Sequence, residues 1–248
     1  MDLGLNGRSA IVLGASQGMG LAIAEGLAAE GANVALFARR ADVVEREAAR
    51  IRGIGVAGDL TSAADLKRLV TATVDAFGAI DVLVLNGGGP PPGPAADVTA
   101  ASVAAAVELL LLPHVTLVGL CLPYLRASGR GRIVAIESTS VKEPIANLAL
   151  SNAVRPGVVG WLKTLAREVG PDGITVNTIA PGLIDTERLR SLYGPDGPPA
   201  AALERVPARR VGLPAEIAAT VCFLASEQAA FVNGTVVPVD GGMLSGLS

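Results

Sequence analysis

The sequence predicts an α/β fold, a doubly wound parallel sheet of about seven strands with helices on both faces. Three observations carry this. Short apolar runs rich in β-branched residues alternate with longer helical patterns along the chain, and a glycine cluster follows the first run directly. Half the residues are hydrophobic, only 17% are charged and 3% aromatic, a mix that suits close-packed helices on a sheet and not a disordered chain. At 248 residues, with no linker-like break and no internal repeat, the chain reads as one domain, 1–248.

Taken in order, the strand candidates are 10–13 (Ala-Ile-Val-Leu), 33–37 (Asn-Val-Ala-Leu-Phe), 55–57 (Gly-Val-Ala) and 82–85 (Val-Leu-Val-Leu), then 133–136 (Ile-Val-Ala-Ile), 175–179 (Thr-Val-Asn-Thr-Ile) and 236–239 (Val-Val-Pro-Val). Between them, helical patterns cover 20–30, 64–77, 101–125, 150–169 and 214–225. Within 101–125, residues 109–125 are uncharged apart from His114, but Pro113 and Pro123 interrupt them and they fall short of a membrane span, so they read as a buried helix. Pro113 also lacks the amide that would bond Leu109, which predicts a bend there. Two loops break the rhythm. Pro90-Pro-Pro-Gly-Pro94 is stiff, and 186–211 contains Gly194-Pro-Asp-Gly-Pro-Pro199, too turn-rich for a core element and a candidate lid on the substrate side. Both are expected to rim the ligand crevice, since open α/β sheets bind ligands beyond the carboxyl ends of their strands.

Composition excludes several functions. A net charge of −3 argues against a nucleic-acid partner, which calls for a basic face. Cys121 and Cys222 stand far apart without metal-ligand spacing, so neither a metal site nor a disulfide is expected, and both read as core residues in a reducing compartment. Asp2 and Arg8 before the first strand do not resemble a secretion signal, so a cytoplasmic location is expected, with no membrane partner.

The first strand runs into Gly14-Ala15-Ser16-Gln17-Gly18-Met19-Gly20 and then a helix. Glycines at such a junction allow a tight turn and bring the backbone and the helix N-terminus close to a pyrophosphate. The spacing GxxxGxG resembles the short-chain dehydrogenase/reductase family, and the resemblance continues along nearly the whole chain. Asp59-Leu60 matches that family's adenine-side acidic residue, and 81–88 matches its NNAG segment with Leu85 in place of the first Asn, leaving Asn86, Gly87 and Gly88. Asn177 and Pro181-Gly182-Leu183-Ile184-Asp185-Thr186 match the segment along the nicotinamide, and Asp240-Gly241-Gly242 the C-terminal signature. The resemblance, nearest to 3-oxoacyl-acyl-carrier-protein reductase-like members, implies a Rossmann-type dinucleotide site. Cofactor choice is read where the second strand ends. Ala38 stands where an acid would select NAD, and Arg39 and Arg40 follow, suited to a 2′-phosphate, so NADP is expected over NAD. The alternative is a solvated surface pair, and Gln17 stands where a basic residue would strengthen the case.

The resemblance also implies a catalytic set: a Ser that positions the substrate oxygen, a Tyr that exchanges its proton, a Lys four residues later, and a helix Asn that supports a water relay. Ser138 fills the first position. Ser151, thirteen residues on, stands where Tyr is expected, Arg155 where Lys is expected, and Leu110 is nearest to the missing Asn. An aliphatic hydroxyl is a much poorer acid than a phenol, and Arg is effectively never deprotonated. A substitute proton donor is therefore needed, and Lys142, in the loop 139–143 on the side where substrate enters, is the candidate; the alternative is a solvated Lys paired with Glu143. His114, one turn after Leu110, reads as a core or interface residue, with catalysis as the alternative. Two functions follow: an NADP-dependent oxidoreductase interconverting a small-molecule ketone and a secondary alcohol with a non-standard proton donor, or a dinucleotide-binding sensor or scaffold with little turnover. The family's pairing through the 101–125 and 150–169 helices implies a homodimer or homotetramer.

Overall fold

The computed structural model describes residues 2–246, so Met1, Leu247 and Ser248 of the expected 1–248 domain lie outside the described residues. Seven parallel strands, β1 (Ser9–Leu13), β2 (Asn33–Ala38), β3 (Ile54–Ala57), β4 (Val82–Asn86), β5 (Arg132–Ile136), β6 (Thr175–Pro181) and β7 (Val236–Val239), form one sheet in the order β3-β2-β1-β4-β5-β6-β7. The nine helices assigned among the described residues are α1 (Gly18–Ala29), α2 (Ala41–Arg50), α3 (Ala63–Phe77), α4 (Ala100–Leu110), α5 (Leu112–Ser128), α6 (Ala149–Val169), α7 (Glu187–Tyr193), α8 (Ala200–Glu204) and α9 (Pro214–Ala225).

Successive strand residues point to opposite faces, and both faces are covered along β1, β2, β4 and β5, which is why these strands read as nearly unbroken apolar runs. Ala10, Val12, Val84, Val134 and Ile179 join Ile23 and Leu27 of α1 and Ile217 and Val221 of α9 in one core. Ile11, Leu13, Leu83, Ile133 and Val176 join Leu66 and Leu69 of α3, Leu117 and Cys121 of α5 and Val158 and Leu162 of α6 in the other. Both cysteines are free and buried. The strand order reverses between β1 and β4, so the loops leaving these two strands diverge and open a crevice at their carboxyl ends.

The pattern expected as a single helix over 101–125 is two helices. Leu111 (φ −104°, ψ −55°) interrupts them beside Pro113, as the missing amide requires. Helix α2, whose only fully inward residues are Val44 and Ala48, lacks a long apolar pattern and was not anticipated. The lid stretch 186–211 is not wholly irregular: α7 and α8 flank the Gly194–Pro199 turns, and Thr186 starts α7 by accepting the amide of Leu189 at 3.3 Å.

Candidate active site

Gly14 and Gly18 have φ of +61° and +58°, which a side chain would oppose, and a Cβ on Gly20 would sit 2.2 Å from the Gly14 carbonyl oxygen. Only glycine lets α1 begin this close to the turn. Asn86, at the end of β4, locks the turn from behind by donating its Nδ2 to the Leu13 carbonyl at 3.0 Å. Gln17 starts α1 without capping it through its side chain, so the first helix amides line the groove without a side-chain partner. Its Oε1 instead accepts Arg40 Nη2 at 2.7 Å. The sequence position that lacked a cation thus holds one in place.

The groove along this turn has a volume of about 1160 Å³ and brings together Gly14, Ser16, Gln17, Gly18, Met19, Gly20, Arg39, Arg40, Asp59, Leu60, Asn86, Gly87, Gly88 and Thr186, the residues expected at a dinucleotide. Arg39 and Arg40 are exposed along the groove. The Asp59 carboxyl is lowered from its usual value, chiefly by the amide and hydroxyl of Thr61, with Arg39 adding to the effect. Residues Met19, Asn86, Gly88 and Thr186 also line a second cavity of about 400 Å³, to which Pro181, Gly182, Ile184, Ser138, Ser151 and Arg155 contribute. Groove and cavity therefore form one continuous crevice. Leu189, Leu192 and Tyr193 of α7 and Ala202 of α8 supply an apolar wall, with Arg188 and Arg205 beside it.

Ser138 follows β5 in extended conformation, and its Oγ accepts the Ser140 amide at 3.1 Å. The hydroxyl hydrogen is left to donate into the cavity. Ser151 and Arg155 lie one turn apart on α6 and both turn inward. Arg155 Nε donates to Ser151 Oγ at 3.0 Å, Nη1 to Glu137 Oε2 at 2.8 Å, and Nη2 to the Gly88 carbonyl at 3.1 Å. Ser140 Oγ lies 3.3 Å from Ser151 Oγ. Arg155 is thus committed in three directions to the protein itself.

Glu137, which no motif in the sequence marks, has a fully buried side chain. Burial pushes its carboxyl above the usual range, and Arg155 opposes this. His114, on α5, is also buried, and desolvation together with Arg155 lowers its pKa to about 4. Leu110 takes the place expected for the helix Asn and packs with Ala106 and Val154. Lys142 is a correction: it is exposed and is not among the residues lining the cavity, because the turn after Ser138 directs Glu143, not Lys142, to the wall. Nor does it pair with Glu143, which instead accepts the amides of Ser245 and Gly246 at 2.9 and 3.2 Å.

The burial of His114 has a consequence for stability. An unfolded histidine takes up a proton near pH 6.5, whereas this one resists until about pH 4, so its contribution is full above pH 6.5 and is lost as pH falls toward 4. Between pH 7 and pH 5 the wild type is expected to lose about 2 kcal/mol more than His114→Leu, as measured by denaturant titration at the two pH values.

The profile of the family described as enoyl-(acyl carrier protein) reductase matches residues 14–244. The 3-oxoacyl-acyl-carrier-protein reductase MabA of Mycobacterium tuberculosis is 36% identical over 237 residues, covering 95% of this chain and 92% of that protein. The corresponding FabG of Vibrio cholerae is 35% identical over 243 residues, 97% of this chain and 99% of the relative. Among solved structures, L-sorbose reductase from Gluconobacter frateurii, complexed with NADPH and L-sorbose, superposes with a TM-score of 0.92 at 33% identity over 100% of both chains.

Proposed function

The chain belongs to the short-chain dehydrogenase/reductase family, and from that premise we propose that it is an NADPH-dependent oxidoreductase interconverting a small-molecule ketone and a secondary alcohol. The observation that carries this reading is the continuous crevice, in which a glycine-lined groove bearing Arg39 and Arg40 opens directly onto Ser138 and Ser151. The glycine turn and the start of α1 fit a pyrophosphate, and the two guanidinium groups fit a 2′-phosphate. Asp59 and Leu60 would flank the adenine, while Asn86–Gly88 and the segment from Pro181 to Thr186 would hold the nicotinamide. When bound, the cofactor supplies a hydride. Ser138 orients the substrate oxygen through its free hydroxyl hydrogen, and Ser151, polarised by Arg155 Nε, donates a second hydrogen bond. Because an aliphatic hydroxyl is a weak acid, this arrangement stabilises the developing negative charge on oxygen without the proton transfer that a phenol provides, and the alkoxide takes its proton from solvent water to give the alcohol.

Arg39→Ala is expected to weaken NADPH binding about 10- to 100-fold, since a hydrogen-bonded charge contact contributes about 1.5–3 kcal/mol. NADH binding should be unchanged. Isothermal titration with both cofactors reads the difference; equal losses for the two would remove Arg39 from the 2′-phosphate site.

The second reading, a dinucleotide-binding protein with little turnover, draws on one observation: all three branches of the Arg155 guanidinium are spent on Ser151, Glu137 and Gly88. NADPH oxidation followed over a panel of ketones and acyl thioesters separates the two. We expect slow but saturable oxidation with at least one of them. Cofactor binding with no oxidation across the panel would favour the second reading. Self-association belongs to the first: Leu112 and Val115 stand exposed on one side of α5, apolar surface suited to a second copy in a homodimer or homotetramer, which sedimentation reads directly.

A further inference from the structure

Behind the wall shared by groove and cavity, two buried polar atoms face each other without partners. They are His114 Nδ1 and Glu137 Oε1, 3.9 Å apart. Buried polar groups are ordinarily satisfied, and this gap is closed by a small shift of either side chain or by one bridging water. The other Glu137 oxygen holds Arg155, and Arg155 holds Ser151 Oγ and the Gly88 carbonyl. The far side of the histidine ring approaches Gly87, where a Cβ would lie 3.9 Å from Nε2. The line His114, Glu137, Arg155, Ser151 therefore begins and ends at residues 87, 88 and 151, which line the crevice.

We propose that Glu137 and His114 are positioning residues for the reduction: the His114 Nδ1–H and the Arg155 guanidinium share the Glu137 carboxylate, and this fixes the direction in which Arg155 Nε meets Ser151. The consequence lies in the hydroxyl. With Arg155 Nε occupying a lone pair of Ser151 Oγ, the Ser151 hydrogen turns toward Ser140 or into the cavity. Leu110 gives α4 no polar group of its own here, and His114, brought inward after the break at Leu111, supplies one from α5. The charged groups facing Glu137 are Arg155 and, when protonated, His114. His114 stays neutral near pH 7 and carries one ring proton, whose position is set by the partner it finds.

This inference rests on the reductase reading, and one of its tests does not depend on turnover. His114 is the sole histidine in the chain, so a long-range ¹H–¹⁵N spectrum at pH 7.5 shows a single imidazole. The expected wild-type tautomer is Nδ1–H. In Glu137→Gln the side-chain oxygen should stay with the Arg155 cation and present its NH₂ to His114, which reverses the tautomer to Nε2–H. The same variant should lower kcat at least tenfold while KM for the carbonyl substrate and Kd for NADPH stay within threefold. A wild-type Nε2–H tautomer, or Glu137→Gln at wild-type kcat, overturns the proposal. If the variant does not fold, the wild-type tautomer decides alone. If no carbonyl compound is turned over, the reductase reading falls, while the tautomer still decides whether His114 and Glu137 are joined.

Discussion

The double variant Ser151→Tyr/Arg155→Lys should raise kcat/KM for ketone reduction by about 10²–10⁴, the usual value of a positioned general acid. Ser151 lines a cavity of about 400 Å³ with an apolar wall, room for an aromatic ring in place of a hydroxymethyl group. A phenol titrates near pH 10, and a neighbouring cation brings it toward neutrality, whereas the serine hydroxyl remains far from that range. The cation must change as well. Arg155 is fixed by Glu137 and Gly88, and a lysine at the same position keeps the charge while freeing its direction, so Ser151→Tyr alone should recover only part of the gain. Turnover assays of the wild type, the two single variants and the double variant resolve the contributions. A double variant that binds NADPH yet shows no gain would mean that the crevice does not admit carbonyl substrates, as a binding protein requires.

Arg155→Met should destabilise the fold by about 3–5 kcal/mol, because it leaves the Glu137 carboxylate buried without its counter-ion. The double change Glu137→Leu/Arg155→Met should recover most of this, since replacing both members of a buried pair with apolar groups is often close to neutral. The effect depends on pH. Burial already raises the Glu137 pKa even with Arg155 present, and removing the cation raises it further. The folded single variant then keeps its proton while the unfolded chain releases one near pH 4.5. The deficit relative to wild type is accordingly small below pH 4.5 and grows toward pH 7. Denaturant midpoints at pH 4.5 and pH 7 measure it, and an equal deficit at both would show that Glu137 is not the stranded group.

Much of this was legible in the chain. The inner strands β1, β2, β4 and β5 were readable because a sheet covered on both faces demands apolar runs, and the glycine turn because only glycine satisfies the positive φ at Gly14 and Gly18 and the close approach at Gly20. The register from Ser138 through Ser151 and Arg155 to Asn177 placed three of the residues that meet in the crevice. The two misreadings at the site share one cause. Position along the chain does not report which way a side chain turns: the short turn after Ser138 exposes Lys142, whereas Glu137, whose amide still bonds the Ile179 carbonyl of β6, turns inward, although both sit within four residues of Ser138. A carboxylate directly after the apolar run 133–136 was a signal that could have been used, since a charge that enters a core requires a partner. Pro113 announced the break in the long helix, but its effect on His114, which turns inward toward Glu137, needed the tertiary packing.

The most direct test of the proposed chemistry is to supply NADPH deuterated at both C4 positions together with the best ketone of the panel, and to examine the alcohol product by NMR. The account predicts one deuterium on the carbinol carbon and a slower turnover than with unlabelled cofactor. Saturable binding of the labelled cofactor with no deuterium in any product would contradict it.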